Sequence, residues 1–412
     1  MVILYRLGIW LYYFLIWIVS PFNHKASLWL KGRRRWAKRL YDALDHKSSI
    51  AWFHCASLGE FEQGRPLIEE YKTSNPEHKI LITFFSPSGY EIRKNYAQAD
   101  YVFYLPLDTK RNAKRFVESV NPVMAVFIKY EFWFFMLNEL KRKGIPTYLV
   151  SAIFRPDQIF FRWYGPWNRK MLSCFNHIFV QNEISKQLLQ SIDINNVEIT
   201  GDTRFDRVYA TFRSSQEIPL LDEFCKDAVI IIAGSTWPKD EQMLIRFINN
   251  TRHMVKIVFA PHEITESRIT SLIEAINTHP IRFTKANHQI LKQSKALIMD
   301  TIGILASAYK YGHIAYVGGG FGSGIHNTLE PATFGLPILF GPNYHKFQEA
   351  KELVERKAAF SIKNEDELTT TLNDLINNAE LLKSAGKSAA QYVHENIGAT
   401  HRVLKLISST PS

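Results

Sequence analysis

The sequence predicts an α/β protein of two Rossmann-like, doubly wound domains facing across a cleft, preceded by an N-terminal membrane-anchor helix. Three observations predict it. From Ile50 onward short apolar runs alternate with helical stretches, the rhythm of a parallel sheet covered by helices. The rhythm pauses over the polar stretch Ser214–Pro219 and then restarts. Leu7–Asn23 carries no formal charge, is crowded with Leu, Ile, Trp, Tyr and Phe, and is nearly long enough to cross a bilayer.

The 412 residues suffice for two or three domains, and a hydrophobic content of 46% gives substantial cores and excludes disorder. A formal charge of +11 implies an anionic partner: nucleic acid, an acidic membrane face or a phosphorylated substrate. Cys55, Cys174 and Cys225 are odd in number and far apart, which excludes a disulfide framework and zinc-ligand spacing and suits a reducing compartment.

Behind the apolar segment come Lys25, Lys31, Arg33, Arg34, Arg35, Lys38, Arg39 and Lys47, opposed only by Asp42 and Asp45. This is the pattern of a segment held against an anionic cytoplasmic leaflet. A cleaved signal peptide would need small residues at its cleavage site and its positive charge on the other side. Trp10, Tyr12, Tyr13 and Trp17 suit a membrane interface better than a packed interior. The expected organisation is an uncleaved anchor over 1–24, one Rossmann-like domain over 25–213, a linker over 214–220 and a second domain over 221–412 whose final helices can cross back.

Strands are expected at Ile50–Cys55, Lys79–Phe84, Tyr101–Leu105, Val123–Ile128, Thr147–Ala152, Ile178–Gln181 and Val197–Thr200. The second set is Val229–Ala233, Val255–Ala260, Ala296–Met299, Ile314–Val317 and Pro337–Phe340. In such sheets ligands bind beyond the carboxyl ends of strands, so the residues there are the ones to weigh.

The stretch Ile314–Pro342 reads as strand, glycine loop, helix, strand. Gly318, Gly319, Gly320, Gly322 and Gly324 permit positive φ and close backbone approach. His326 and Asn327 sit where the next helix should begin, which outlines a phosphate site, and Glu330 one turn inside is placed to take ribose hydroxyls. Neither G-x-G-x-x-G nor G-x-x-x-x-G-K-[ST] occurs, which excludes a dinucleotide fingerprint and a P-loop. No G-x-S-x-G signals a serine hydrolase.

Ser57 and Glu60 have the S-x-x-E spacing of a capping box. Capping is the first reading of that spacing; Glu60 can also be a general base if it faces the cleft, since a carboxylate at a helix N-terminus stays ionised and Gly59 leaves room for a substrate hydroxyl. Ser86-Pro87-Ser88-Gly89 could cap a helix or hold an anion, and Lys129 with Glu131 could be a salt bridge or a ligand contact. In the second half, Ser235-Thr236 and Pro261-His262 close two further strands, with His262 either a phosphate ligand or a neutral histidine at a helix start.

The chain resembles the 3-deoxy-D-manno-octulosonic acid (Kdo) transferases of lipid A assembly, which have the GT-B glycosyltransferase fold. The likeness runs from the anchor to the final helix. It is carried by Ser57-Leu58-Gly59-Glu60, Ser86-Pro87-Ser88-Gly89, Pro106-Leu107-Asp108, Glu131-Phe132-Trp133, Gly201–Asp206, Ala233-Gly234-Ser235-Thr236 and the Gly318–Pro342 block. It implies inverting, metal-independent transfer of Kdo from CMP-Kdo to a phosphorylated lipid A precursor at the cytoplasmic face of a bacterial inner membrane, without a cofactor and without nucleic acid as partner. By similarity Glu60 is the base, and Ser57, Gly59, Ser86, Ser88, Lys129 and Glu131 form the acceptor side. The donor side comprises Ser235, Thr236, Pro261, His262, Gly319, Gly320, Gly322, Asn327 and Glu330. Arg204, with Lys129 and Arg155, is a candidate cation for the donor carboxylate. Where many members have Pro-Arg-His, this chain has Pro261-His262-Glu263. Two other classes remain open: another GT-B-type sugar-nucleotide transferase or epimerase, and a basic nucleic-acid binder.

Overall fold

Every strand pairing is parallel, and the strands form two seven-stranded sheets. A computed structural model describes residues 1–409. The first sheet holds β1 (Ile50–Cys55), β2 (Lys79–Phe84), β3 (Tyr101–Tyr104), β4 (Met124–Ile128), β5 (Thr147–Ala152), β6 (His177–Val180) and β7 (Val197–Ile199), in the order β3-β2-β1-β4-β5-β6-β7. The second holds β8 (Val229–Thr236), β9 (Val255–Pro261), β10 (Ile281–Arg282), β11 (Ala296–Ile298), β12 (Ile314–Val317), β13 (Ile338–Phe340) and β14 (Ala359–Ser361). Its order is β10-β11-β9-β8-β12-β13-β14.

The predicted strands all form. Their ends differ from expectation by a residue at most, except that β8 runs on through Gly234 and Ser235 to Thr236. The two strands not foreseen, β10 and β14, are edge strands of 2 and 3 residues, too short to leave a periodic signal. β1 shows why the rest are legible. Its six residues are all buried, because helices cover both faces of a parallel sheet, so it reads as a nearly continuous apolar run. Trp52 fills one face, its ring 4.8 Å from Phe116 and 5.2 Å from Phe127. His54 is the polar exception, paired in register with Thr83 of β2 and Phe127 of β4.

The chain divides into two compact units, Met1–Arg207 together with the tail from Ile397, and Val208–Asn396. The division falls inside the helix Thr203–Arg213, ahead of the polar stretch 214–220. The tail is fixed to the first unit by Arg402, whose Nη2 donates to the Thr200 carbonyl at 2.8 Å, and by Asp206, which accepts from the Thr400 amide at 2.7 Å.

At the N-terminus, α1 (Val2–Val19) buries none of its residues and is the one described helix long and apolar enough to cross a membrane. It is followed by α2 (His24–Arg33) and α3 (Trp36–Ala43). Two tyrosines fasten α1 to the first unit. The Tyr5 hydroxyl donates to Asp108 Oδ2 at 2.6 Å, and Tyr12 stacks on Phe85 with ring centres 6.0 Å apart.

One member of the basic cluster departs from its expected place. Arg33 does not face outward: it is 9% exposed and donates to the carbonyls of Leu105 (2.9 Å), Trp29 (3.2 Å) and Phe85 (2.8 Å). Its guanidinium lies 3.9 Å from the Trp29 ring centre, and burial pulls its pKa down to about 9. A planar cation with a fixed fork of donors spans three separated carbonyls from three different nitrogens, which the single nitrogen of a lysine does not.

Candidate active site

In the first sheet the strand order reverses between β1 and β4, and the two carboxylates of interest flank that point. β1 runs into α4 (Leu58–Ser74), with Ser57 at the N-cap. The Glu60 carboxylate accepts from the Ser57 amide (2.8 Å) and hydroxyl (3.0 Å), so the capping box forms. Burial, then the charge of Glu131, raises the pKa of Glu60 despite those hydrogen bonds. The helix start therefore does not simply hold Glu60 ionised: desolvation prevails and makes it a stronger base. Gly59 is exposed beside it, with open space around its Cα.

Glu131, past the end of β4, is 9% exposed. Its Oε2 lies 3.1 Å from His54 Nε2 and accepts from Trp133 Nε1 at 2.7 Å. His54 Nδ1 in turn sits 2.8 Å from Thr83 Oγ1 and 3.1 Å from the Thr83 carbonyl. Glu131 is thus held by a buried histidine and an indole. Sequence reasoning missed His54, although an ionisable residue inside a wholly apolar strand is a signal in itself.

At the end of β2, Ser86 caps α5 (Pro87–Arg93), accepting from the Ser88 amide at 3.2 Å, and its hydroxyl is 2.9 Å from that of Ser88. Phe85 packs against Trp133 with ring centres 4.6 Å apart and planes tilted by 39°, which joins this loop to Glu131. The three cations gather around Tyr130. Lys129 Nζ lies 5.6 Å from its ring centre, and the charges of Arg155 and Arg204 bear on its hydroxyl. Arg204 is oriented by Asp202, with Nε and Nη2 each 2.7 Å from Oδ2. It belongs to the first unit, apart from the other residues expected on the donor side.

In the second sheet the order reverses between β8 and β12, and the glycine loop leaves the end of β12 there. Asp240, 1% exposed, organises it by accepting from the Tyr316 hydroxyl (2.7 Å), the Trp237 amide (2.9 Å) and the Gly319 amide (2.9 Å). The glycines divide the work. Gly319 has φ +93°, but Gly318 and Gly320 are needed for close approach: a Cβ would collide with the Ser235 carbonyl at the first and come within 2.5 Å of the Gly341 amide at the second. Gly322 is exposed and lines a cavity of about 320 Å³ with Lys239 and Phe321.

The helix expected at His326-Asn327 begins later and spans only Leu329–Thr333. Pro331 and the positive φ of Gly335 (+71°) keep it to little more than one turn, so the donors here are loop amides rather than a helix dipole. Asn327 Oδ1 accepts from the Leu329 amide (3.0 Å), and its Nδ2 donates to Glu330 (3.1 Å). The Thr236 hydroxyl is turned inward to Glu241 (2.9 Å), which pairs with Arg268. Pro261 pairs with Thr236 at the end of β9, and the His262 amide donates to the Thr236 carbonyl at 3.0 Å. Ser235, half-buried, has φ +52°.

Trp237, which sequence reasoning did not single out, builds a stack of rings. Its centre is 4.6 Å from that of His262, which is 4.5 Å from that of His326. Trp237 Nε1 donates to His326 Nε2 at 3.0 Å, and burial followed by the nearby His262 lowers the His326 pKa, which keeps that ring neutral at pH 7.

Two doubly wound sheets, with paired carboxylates at one reversal point and a glycine loop at the other, have the GT-B architecture. Solved structures agree on the fold. The UDP-GlcNAc 2-epimerase of Neisseria meningitidis, bound to UDP-GlcNAc, superposes with TM-score 0.63 at 15% identity over 88% of this chain and 100% of that one. MurG of Acinetobacter baumannii gives 0.55 at 14%, again over 88% and 100%. Residues 34–207 match the family model of 3-deoxy-D-manno-octulosonic-acid transferase (kdotransferase). The 3-deoxy-D-manno-octulosonic acid transferase of Aquifex aeolicus is 29% identical over 84% of this chain and 92% of its own length; that of Rickettsia bellii is 26% identical over 97% and 98%. Residues 34–207 thus carry the kdotransferase domain of a glycosyltransferase, and the chain is similar to Kdo transferases over most of its length.

Proposed function

We propose that this enzyme transfers Kdo from CMP-Kdo to a phosphorylated lipid A precursor, with inversion, at the cytoplasmic face of the inner membrane. The observation that carries the reading is the pair of carboxylates at the β1/β4 reversal: Glu60 with raised basicity beside Gly59, and Glu131 fixed by His54 and Trp133. The acceptor hydroxyl attacks the anomeric carbon of Kdo from the face opposite CMP, its proton passes to Glu60, and the bond to the CMP phosphate breaks. Glu131, Ser86 and Ser88 orient the acceptor. CMP departs with its negative charge on the phosphate, so it needs donors rather than covalent help; the loop amides of Gly320 and Phe321, together with Lys239, supply them.

Further assignments follow from the same reading. The stack of Trp237, His262 and His326 offers flat rings for a pyrimidine, and Asn327 with Glu330 offers partners for ribose hydroxyls. The cations around Tyr130 match the carboxylate that distinguishes Kdo from neutral sugars. The test is a single-turnover assay with CMP-Kdo and a tetra-acylated, phosphorylated lipid A precursor in detergent, read by product mass. Release of CMP without a mass gain in the lipid would refute the acceptor.

A further inference from the structure

A cavity of about 620 Å³ opens between α1 and α6 (Lys110–Val120), lined by none of the site residues described above. Arg6, Lys110, Arg111, Lys114 and Arg115 line it, and among the described residues none of the five makes an ion pair within 4.0 Å. The carboxylate in its wall, Asp108, is turned inward and engaged by the Tyr5 hydroxyl and the amides of Phe135 and Met136. Thr109 and Asn112 are the uncharged polar lining, and Ile9, Trp10, Trp36 and Leu107 form an apolar wall. Concentrated positive charge above an apolar wall is complementary to an anion that carries hydrocarbon.

The attachment of α1 fixes how such a molecule would lie. Tyr5 and Tyr12 hold α1 against the first unit at points about 10 Å apart along its axis. A helix of 18 residues is about 27 Å long, and crossing a bilayer would need nearly all of that length free within a hydrocarbon layer about 30 Å thick. The opposite side of α1 is free and apolar, with Ile3, Leu7, Phe14 and Ile18 exposed at 71%, 60%, 52% and 45%. We propose that the cavity between α1 and α6 seats the phosphate of an anionic phospholipid whose acyl chains run along α1, so that α1 lies in the plane of the membrane surface rather than across it. This does not depend on which sugar the enzyme transfers.

The experiment is native mass spectrometry of the full chain in detergent, titrated with phosphatidylglycerol and, in parallel, with phosphatidylcholine. One bound phosphatidylglycerol and no retained phosphatidylcholine are expected. The variant R111Q/K114Q/R115Q should bind phosphatidylglycerol roughly a hundredfold more weakly. K31Q/R34Q/R35Q removes as many charges outside the cavity and should keep the lipid. If the cavity variant fails to fold, Arg6→Gln alone should weaken binding about fivefold. Equal loss in the cavity and control variants would mean diffuse attraction, and loss in neither would mean no seat. Displacement of the lipid by millimolar inorganic phosphate would mean a phosphate site indifferent to hydrocarbon. Each of these three results overturns the proposal.

Discussion

Glu131 Oε2 and His54 Nε2 lie 3.1 Å apart although 77 residues separate them in the chain, and the pair sets the charge that Glu60 feels. Glu131 raises the pKa of Glu60 and His54 lowers it. A base must be deprotonated, so activity falls as pH drops through the Glu60 pKa. Glu131→Gln removes a raising charge and should move the acid limb of kcat/KM to lower pH; His54→Gln should move it to higher pH. Limbs that stay in place in both variants would separate Glu60 from the base role.

Glu60 both caps α4 and is assigned as the base, and two substitutions separate the roles. Glu60→Gln keeps an acceptor for the Ser57 amide and should cost well under 1 kcal/mol of stability. Glu60→Ala should cost about 1 kcal/mol. Both should lower transfer by about 10²- to 10⁴-fold while CMP affinity is unchanged. Urea unfolding and single-turnover rates check this; a Gln variant with near-normal rate would leave Glu60 a cap alone.

The glycine loop permits a similar separation. Gly320→Ala would push a Cβ to 2.5 Å from the Gly341 amide and should destabilise the protein by about 2 kcal/mol or more. Gly322→Ala meets only ordinary contact, 3.6 Å from the Gly319 carbonyl, so its melting temperature should hold. A fall in CMP affinity for Gly322→Ala, measured by calorimetry, is then a ligand effect. Unchanged affinity would place the nucleotide elsewhere.

Asp108 gives stability a pH dependence opposite to that of a salt-bridged carboxylate. Burial raises its pKa from 3.8 to about 6, so the folded state binds a proton more tightly than the unfolded one. The stabilisation is fully present below about pH 3.8 and is lost as pH rises through about 6. This group alone contributes at most about 3 kcal/mol across that window. Chemical denaturation at pH 4.5 and 7, with Asp108→Asn as reference, should show the slope in the wild type and its flattening in the variant.

The parallel sheets were legible because buried strands such as Ile50–Cys55 are nearly continuous apolar runs bounded by small residues. Glu60, Glu131 and the glycine loop were legible because strand ends mark the ligand side of such a sheet. What stayed hidden depends on partners distant in sequence. Asp240 reads locally as an acid in a first helical turn, yet it binds Tyr316 and Gly319, 76 and 79 residues away. Tyr5 looks like one more interfacial aromatic until Asp108, 103 residues on, accepts its hydroxyl proton. Arg33 is indistinguishable from its basic neighbours in a charge run, because only the fold brings three carbonyls to it.

Transfer itself is read most directly from the mass of the lipid after purified enzyme meets CMP-Kdo and a tetra-acylated, phosphorylated lipid A precursor. A gain of one or more Kdo units with a matching release of CMP is expected, the product forming about 10²- to 10⁴-fold more slowly with Glu60→Gln. An unchanged lipid mass from folded enzyme that still binds CMP would contradict it.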